Sequence, residues 1–413
     1  MNILQISGSD LVGHIFNGYD LNAELIKMGE QANQLVLDKR SDSKYVQQIR
    51  IDVILHQQLK ALEKQYSVRN ILFPYAEQIE KNELFRNADI VHYHMIHKGI
   101  LSLFDFPRLV NSKKTVWTIH DPWIFTGCCI HPLQCQGWVS GCQNCDNYQD
   151  DNFGMIMDNA NFMWNVKRDV LKQIDPVVVV STDFMKQYLL TSPMTKHFSK
   201  IKVIPFGVDI KKYDLKRKQK AKKELDLDVN KTIIGCRTDP LKVKGNQYVY
   251  KALRNIRSGE SIQLVSVGTE KIPQYIKEMY SVVELGWVDD EKRMIQFLEA
   301  CDIFLMPSEA ESFGMMAVEA MAAGCAVICF ENTVLEEITE APYCGIAVKY
   351  LSDQELGEKI VKLIHQPEEI KKRGQMGHRI VEKKYKFDKY VNRHKQLYES
   401  VLEQRCKDGE EIS

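Results

Sequence analysis

The chain has 413 residues, two to three times an ordinary domain, which excludes a peptide-sized or disulfide-stapled fold and calls for at least two domains. Its 55 lysines and arginines balance 55 aspartates and glutamates, so the basic excess of a nucleic-acid-binding protein is missing and no nucleic-acid partner is expected. No apolar stretch matches a membrane span, and the start Met1-Asn2-Ile3-Leu4 reads as a strand without a basic leader; a cytoplasmic protein is expected, with its eleven cysteines as free thiols or metal ligands.

The first strand is predicted at 2–6. Behind it come the loop Ser7-Gly8-Ser9-Asp10-Leu11-Val12-Gly13-His14, a helix carrying Leu21, Leu25, Ile26 and Met28, and a strand at 34–37, which together make a βαβ unit. Gly8, Gly13 and Gly18 lack the G-x-G-x-x-G spacing, so the loop is no dinucleotide fingerprint. Strands at 90–92 and 115–119 follow. His120 and Asp121 stand directly after the second of these, where open α/β sheets bind ligands. His92, His94 and His97 suit either an acceptor-lining role or an ordinary strand end. Cys128, Cys129, Cys135, Cys142 and Cys145 then fall within eighteen residues. Cys142 and Cys145 have half-site spacing, and Cys129 and Cys135 could complete a structural zinc site; free thiols in a loop are the alternative.

Strands at 177–180 and 202–204 close the first series. Pro205 to Asp209 interrupts the pattern, and the charged run 211–223 behind it reads as a solvated helix face. A second series runs through 232–234, 262–267, 282–285, 303–306 and 326–328. Strands this uniformly apolar imply parallel sheets covered on both faces, hence an α/β chain of two doubly wound, Rossmann-like domains, 1–205 and 206–385, with a closing helix in 386–413.

The most informative segment is Pro307-Ser308-Glu309-Ala310-Glu311-Ser312-Phe313-Gly314, followed by the apolar helix Met315 to Ala323 and a terminating Gly324. Glu319 is the single charge in that helix. A carboxylate buried there needs hydrogen-bond donors, which vicinal sugar hydroxyls supply. Glu311 precedes the helix, and the free N–H groups around Ser312, Phe313 and Gly314 suit a phosphate.

With Glu311 and Glu319 at this spacing, the Glu-Ser-Phe-Gly run and Ala322-Ala323-Gly324, the sequence resembles the retaining glycosyltransferases of family 4. The resemblance implies the GT-B architecture, two Rossmann-like domains facing a cleft, with the last helix crossing back to the first domain. It implies that Glu311 contacts the donor sugar and Glu319 the nucleotide ribose, while Arg237 and the Lys244-Gly245 pair bind the donor pyrophosphate in place of a metal. It further implies that His120 faces the donor sugar and that the loop with Gly13 and His14, together with Asp121, serves the acceptor side. The family often has a glycine pair where this chain has Gly13 alone. The stretch from His120 to Gly127 with its cysteines resembles a subgroup from bacterial polysaccharide clusters. Metal-independent transfer from a nucleotide sugar to a glycan or lipid-linked acceptor is therefore expected, in exopolysaccharide or capsule synthesis, with peripheral contact at the inner membrane face through the acceptor. A nucleotide-sugar epimerase of the same architecture and a catalytically silent sugar-nucleotide-binding protein are the alternatives.

Overall fold

The computed structural model describes residues 1–149, 154–256 and 261–408. The chain divides into two compact units, Met1–Ile204 with Val391–Ser413, and Pro205–Tyr390.

Unit 1 is built on β1 (Asn2–Ser9), β2 (Gln31–Asp38), β3 (Val46–Gln48), β4 (Ile90–His94), β5 (Lys114–Thr118), β6 (Val177–Val180) and β7 (Ile201–Val203), ordered β3-β2-β1-β4-β5-β6-β7 with every pair parallel. The reason is the composition of the inner strands. All four valines of β6 and all five residues of β4 are buried, as a strand covered on both faces requires. The order reverses between β1 and β4, where Ile3 is in register with Ile90.

Unit 2 repeats the plan with β8 (Thr232–Thr238), β9 (Ile262–Gly268), β10 (Ser281–Glu284), β11 (Ile303–Met306), β12 (Ala326–Phe330) and β13 (Ile346–Val348), ordered β10-β9-β8-β11-β12-β13 and parallel throughout. Here the reversal falls between β8 and β11. A parallel sheet of this order opens a crevice at the carboxyl ends of the two central strands.

Each strand expected from the apolar runs is present. β3 and β13 were not anticipated, because each is a three-residue edge strand, and Val46-Gln47-Gln48 offers a single apolar side chain. The charged run is mostly at the surface, with one departure. Lys222 is 3% exposed and its amine lies 2.7 Å from Asp302, whose carboxylate also takes the Ile233 N–H. An ammonium is tolerated inside because it is paired.

Candidate active site

At the reversal of unit 2, two loops are fastened to each other. Arg237 is the last residue but one of β8, and the turn Lys242–Lys244 follows, closed by Gly245 at φ +80. Glycine is required there twice over, since that backbone conformation is left-handed and a Cβ would run into the Pro307 carbonyl beyond β11. The Glu309 N–H donates to the Val243 carbonyl at 2.8 Å, and the Glu309 carboxylate accepts from Gln247 and Tyr248. Tyr350 donates to the Glu309 carbonyl. This frame brings Lys244 Nζ to 2.8 Å from Glu311 Oε1, with the Ser308 hydroxyl on the same oxygen at 3.0 Å. Arg237 is held by Asp239 at 2.6 Å and is still 39% exposed.

The helix expected behind this loop spans Met315–Ala322, with Gly314 at φ +93 as its N-cap against Leu335. One expectation is corrected. Glu319 is half-buried, because the turn of helix it occupies is not covered on all sides. Tyr213 is close enough for the Glu319 charge to help raise its phenol pKa, second to burial. The Phe313 ring is 1% exposed and packs on Phe206 and Tyr385 at 5.3 and 5.9 Å between ring centres, so its backbone, the part expected to serve a phosphate, is what it offers a ligand. Ser312 is half-buried beside it.

In unit 1 the histidines form a chain through the sheet. His92 Nδ1 meets the Tyr398 hydroxyl and its Nε2 the Thr118 hydroxyl, both at 2.7 Å. His94 lies on the same side of β4, with Nε2 2.7 Å from Gln5 Oε1 and Nδ1 3.3 Å from His120 Nε2. Both β4 histidines are buried, which favours the strand-end reading over acceptor lining. His120 is 7% exposed and burial lowers its pKa to about 3, with His394 as the next cause; it serves as a neutral hydrogen-bonding group. Burial raises the Asp121 pKa to about 6, against the Trp123 N–H it accepts and the nearby charges of Lys98, Lys167 and Arg69. Gly13, at φ +69, and His14 stand in an exposed turn, where His14 Nδ1 is 2.5 Å from Asp20.

Cys129, Cys135, Cys142 and Cys145 line one pocket of about 120 Å³, and Cys128, left out of the predicted set, lines it too. Its distinguishing signal was only adjacency to Cys129. The Gly127 N–H points to Cys142 Sγ at 3.2 Å and the Gly137 N–H to Cys135 Sγ at 3.3 Å. Cys142 and Asn144 both have φ near +50. Among the described residues no group of three or more His, Cys, Asp or Glu side chains is arranged to hold a metal ion.

Other groups escaped the sequence reading. Glu309, Gln247, Tyr248 and Tyr350 brace the loop, and of these only Glu309 had a signal, two residues ahead of Glu311.

Comparison with known proteins supplies independent findings. Residues 217–383 match the family model of glycosyl transferases group 1. The chain is 23% identical over 283 residues to the putative colanic acid biosynthesis glycosyl transferase WcaC of Escherichia coli, a match covering 63% of this chain and 65% of that protein, just under two thirds of its length. Among solved structures, sucrose-phosphate synthase from Thermosynechococcus elongatus aligns with a TM-score of 0.67 at 18% identity, over 97% of this chain and 98% of that one. HepE of Anabaena, in complex with UDP-glucose, aligns at 0.65 and 16% identity, over 96% of this chain and 99% of that one. At these identities the likeness is one of fold, the GT-B class with its two Rossmann-like domains.

Proposed function

We propose that this chain, which carries a glycosyl transferases group 1 domain in residues 217–383, moves a sugar from a nucleotide-sugar donor to a glycan or lipid-linked acceptor, with retention at the anomeric carbon and as a family 4 enzyme. The supporting observation is the juxtaposition of Lys244 and Glu311, 2.8 Å apart, on loops from the carboxyl ends of the two strands flanking the reversal of the sheet. A pyrophosphate there meets Lys244, Arg237 and the open N–H groups at the start of the Met315–Ala322 helix. As the nucleoside diphosphate departs, negative charge grows where these donors already stand, and they stabilise it without reorganising. Glu311 accepts a hydroxyl of the donor sugar, and Glu319 holds the ribose diol. The leaving phosphate takes the acceptor proton, so attack and departure share one face of the sugar. Within unit 1, neutral His120 is assigned a hydrogen-bonding role toward a sugar, and Gly13, His14 and Asp121 serve the acceptor.

The relative from Escherichia coli is named for colanic acid biosynthesis, and a role in bacterial surface polysaccharide synthesis is the reading adopted for this chain, with the acceptor drawing it to the inner membrane face. No helix among the described residues is long and apolar enough to cross a membrane.

Since cations of the chain neutralise the diphosphate, catalysis needs no divalent metal. We further propose that Cys129, Cys135, Cys142 and Cys145 draw together around a structural zinc as it binds, since among the described residues no three such side chains are yet arranged to hold a metal. The reading is supported by their shared pocket and by the N–H groups aimed at two of the sulfurs, an arrangement that stabilises thiolate ligands.

The test is a thermal-unfolding screen with UDP-, GDP- and ADP-linked sugars, followed by product analysis with and without EDTA. One donor class should raise the melting temperature by linkage, and transfer to an acceptor should survive chelation. Stabilisation by none of them, or activity lost to EDTA and restored by Mg²⁺ or Mn²⁺, refutes the assignment.

A further inference from the structure

Unit 1 contains a cavity of about 570 Å³ between the helix Val53–Gln65, the turn after β4 and the segment after β5. Its floor is apolar, with Phe73, Trp123 and Met163 all buried. Its wall is cationic: Lys60, Lys64, Arg69 and Lys98 line it. Glu63 is the one carboxylate among the described lining residues, and its oxygens are engaged by the N–H groups of Asn70, Ile71 and Leu72 at 2.8–3.0 Å, which fixes the turn carrying Arg69. Behind the floor, Asp121 attracts Arg69 and Lys98, and the Lys167 amine, whose pKa burial lowers to about 7, is bonded to the carbonyls of Trp123, Thr126 and Gly127. Among the described lining residues, Lys60, Lys64, Arg69 and Lys98 against Glu63 leave an excess of three positive charges.

Assembling these cations has a cost. Lys60 and Lys64 are one turn apart on the same helix face, a like-charge pair that destabilises the helix. Arg69 is half-buried, and loss of solvent lowers its pKa to about 10. A dianionic guest offsets both penalties, and lysines serve phosphate as point charges.

We propose that this cavity binds a phosphate or diphosphate group carried by the acceptor. The inference rests on the transferase reading for the word acceptor, and on the cavity alone for the phosphate. Two sources share this chemistry, a soluble sugar phosphate and a lipid-linked diphosphate. The second finds Val53 and Ile54, 58% and 69% exposed, on the same helix.

Calorimetric titration of the full chain with inorganic pyrophosphate tests it, comparing wild type with Lys60→Gln/Lys64→Gln, with Arg69→Gln, and with Arg237→Gln as a donor-side control. The lysine pair is at the surface, so the double variant should keep the wild-type melting temperature. Affinity should fall at least tenfold in the double variant and in Arg69→Gln, and a cavity-side component should persist in Arg237→Gln. Glucose 1-phosphate, and phosphatidylcholine vesicles with and without a polyprenyl diphosphate, separate the sources; binding of either that is lost in the double variant supports the cavity. Unchanged pyrophosphate affinity in both cavity variants, or binding of glucuronate with none of pyrophosphate, overturns it. Titrating the same samples with nucleoside diphosphates keeps the two readings apart. A wild type that ignores nucleotides while its pyrophosphate binding depends on Lys60 and Lys64 loses the donor assignment and keeps the cavity.

Discussion

Under the proposed function, Lys244 has two claims on it once a diphosphate arrives: the Glu311 carboxylate, 2.8 Å away, and the incoming phosphates. Glu311→Gln removes the first claim and the acceptor of the sugar hydroxyl together. Turnover should fall, while affinity for free nucleoside diphosphate is kept or tightened. Glu319→Gln should behave in the opposite way. Losing a charge-assisted hydrogen bond to the ribose, about 1.5 kcal/mol, weakens nucleotide binding about tenfold. Titration calorimetry on the two variants reads the difference, and unchanged binding in Glu319→Gln would make that residue a structural one. Both glutamates stand out in the sequence because a short motif carries them. Their surroundings do not. An apolar helix looks buried all round from its sequence, yet Glu319 sits where the cover stops. The Phe313 ring turns into the core because Phe206 and Tyr385, far off in the chain, make a place for it.

At the scale of elements, the cysteine segment has little regular structure. It has one four-residue helix, Gly137–Ser140, and left-handed backbone at Leu133, Cys142 and Asn144, conformations that cost of order 1 kcal/mol or more without a compensating contact. A zinc held by four thiolates would provide it. Protein purified without an affinity metal should carry close to one equivalent of zinc by elemental analysis, and less than a tenth of an equivalent would leave free thiols. Which cysteines lie together could be read only as a cluster, since Cys128 and Cys129 are equivalent on spacing alone. The strands were easier. Inner parallel strands announce themselves as apolar runs, as in Val177–Val180, whereas the edge strands Val46–Gln48 and Ile346–Val348 are short and covered on fewer sides.

For the molecule as a whole, the buried imidazoles set the response to acid. Burial holds His92, His94 and His97 well below the usual histidine range, and His120 at about 3. In the unfolded chain all four take up protons near pH 6.5, and in the folded chain they do not. Their contribution is complete above pH 6.5 and is lost as pH falls, by about 1.4 kcal/mol per pH unit for each group that differs. Asp121 acts the other way. Its folded pKa of about 6 lies above the unfolded value, so the folded state gains a proton first and recovers one share between pH 6 and pH 4. The net expectation is a urea midpoint that drops steadily from pH 7 to pH 5. A flat profile over that range would mean that the histidines are solvated.

The same network bears on how the chain is made. The hydroxyl that receives His92 and Gln5 belongs to Tyr398, and the carbonyls of Val401 and Leu402 receive the Lys114 amine. Those partners are translated only after the whole of 205–390. At ribosomal rates of about 5–20 residues per second, the nascent first unit waits on the order of ten seconds or more with His92 Nδ1 and the Lys114 amine left to water. Its strands can pair during that interval, but its interior closes only when 391–402 arrives. A fragment ending at Ile204 would stay in that waiting state, a natural client for chaperones.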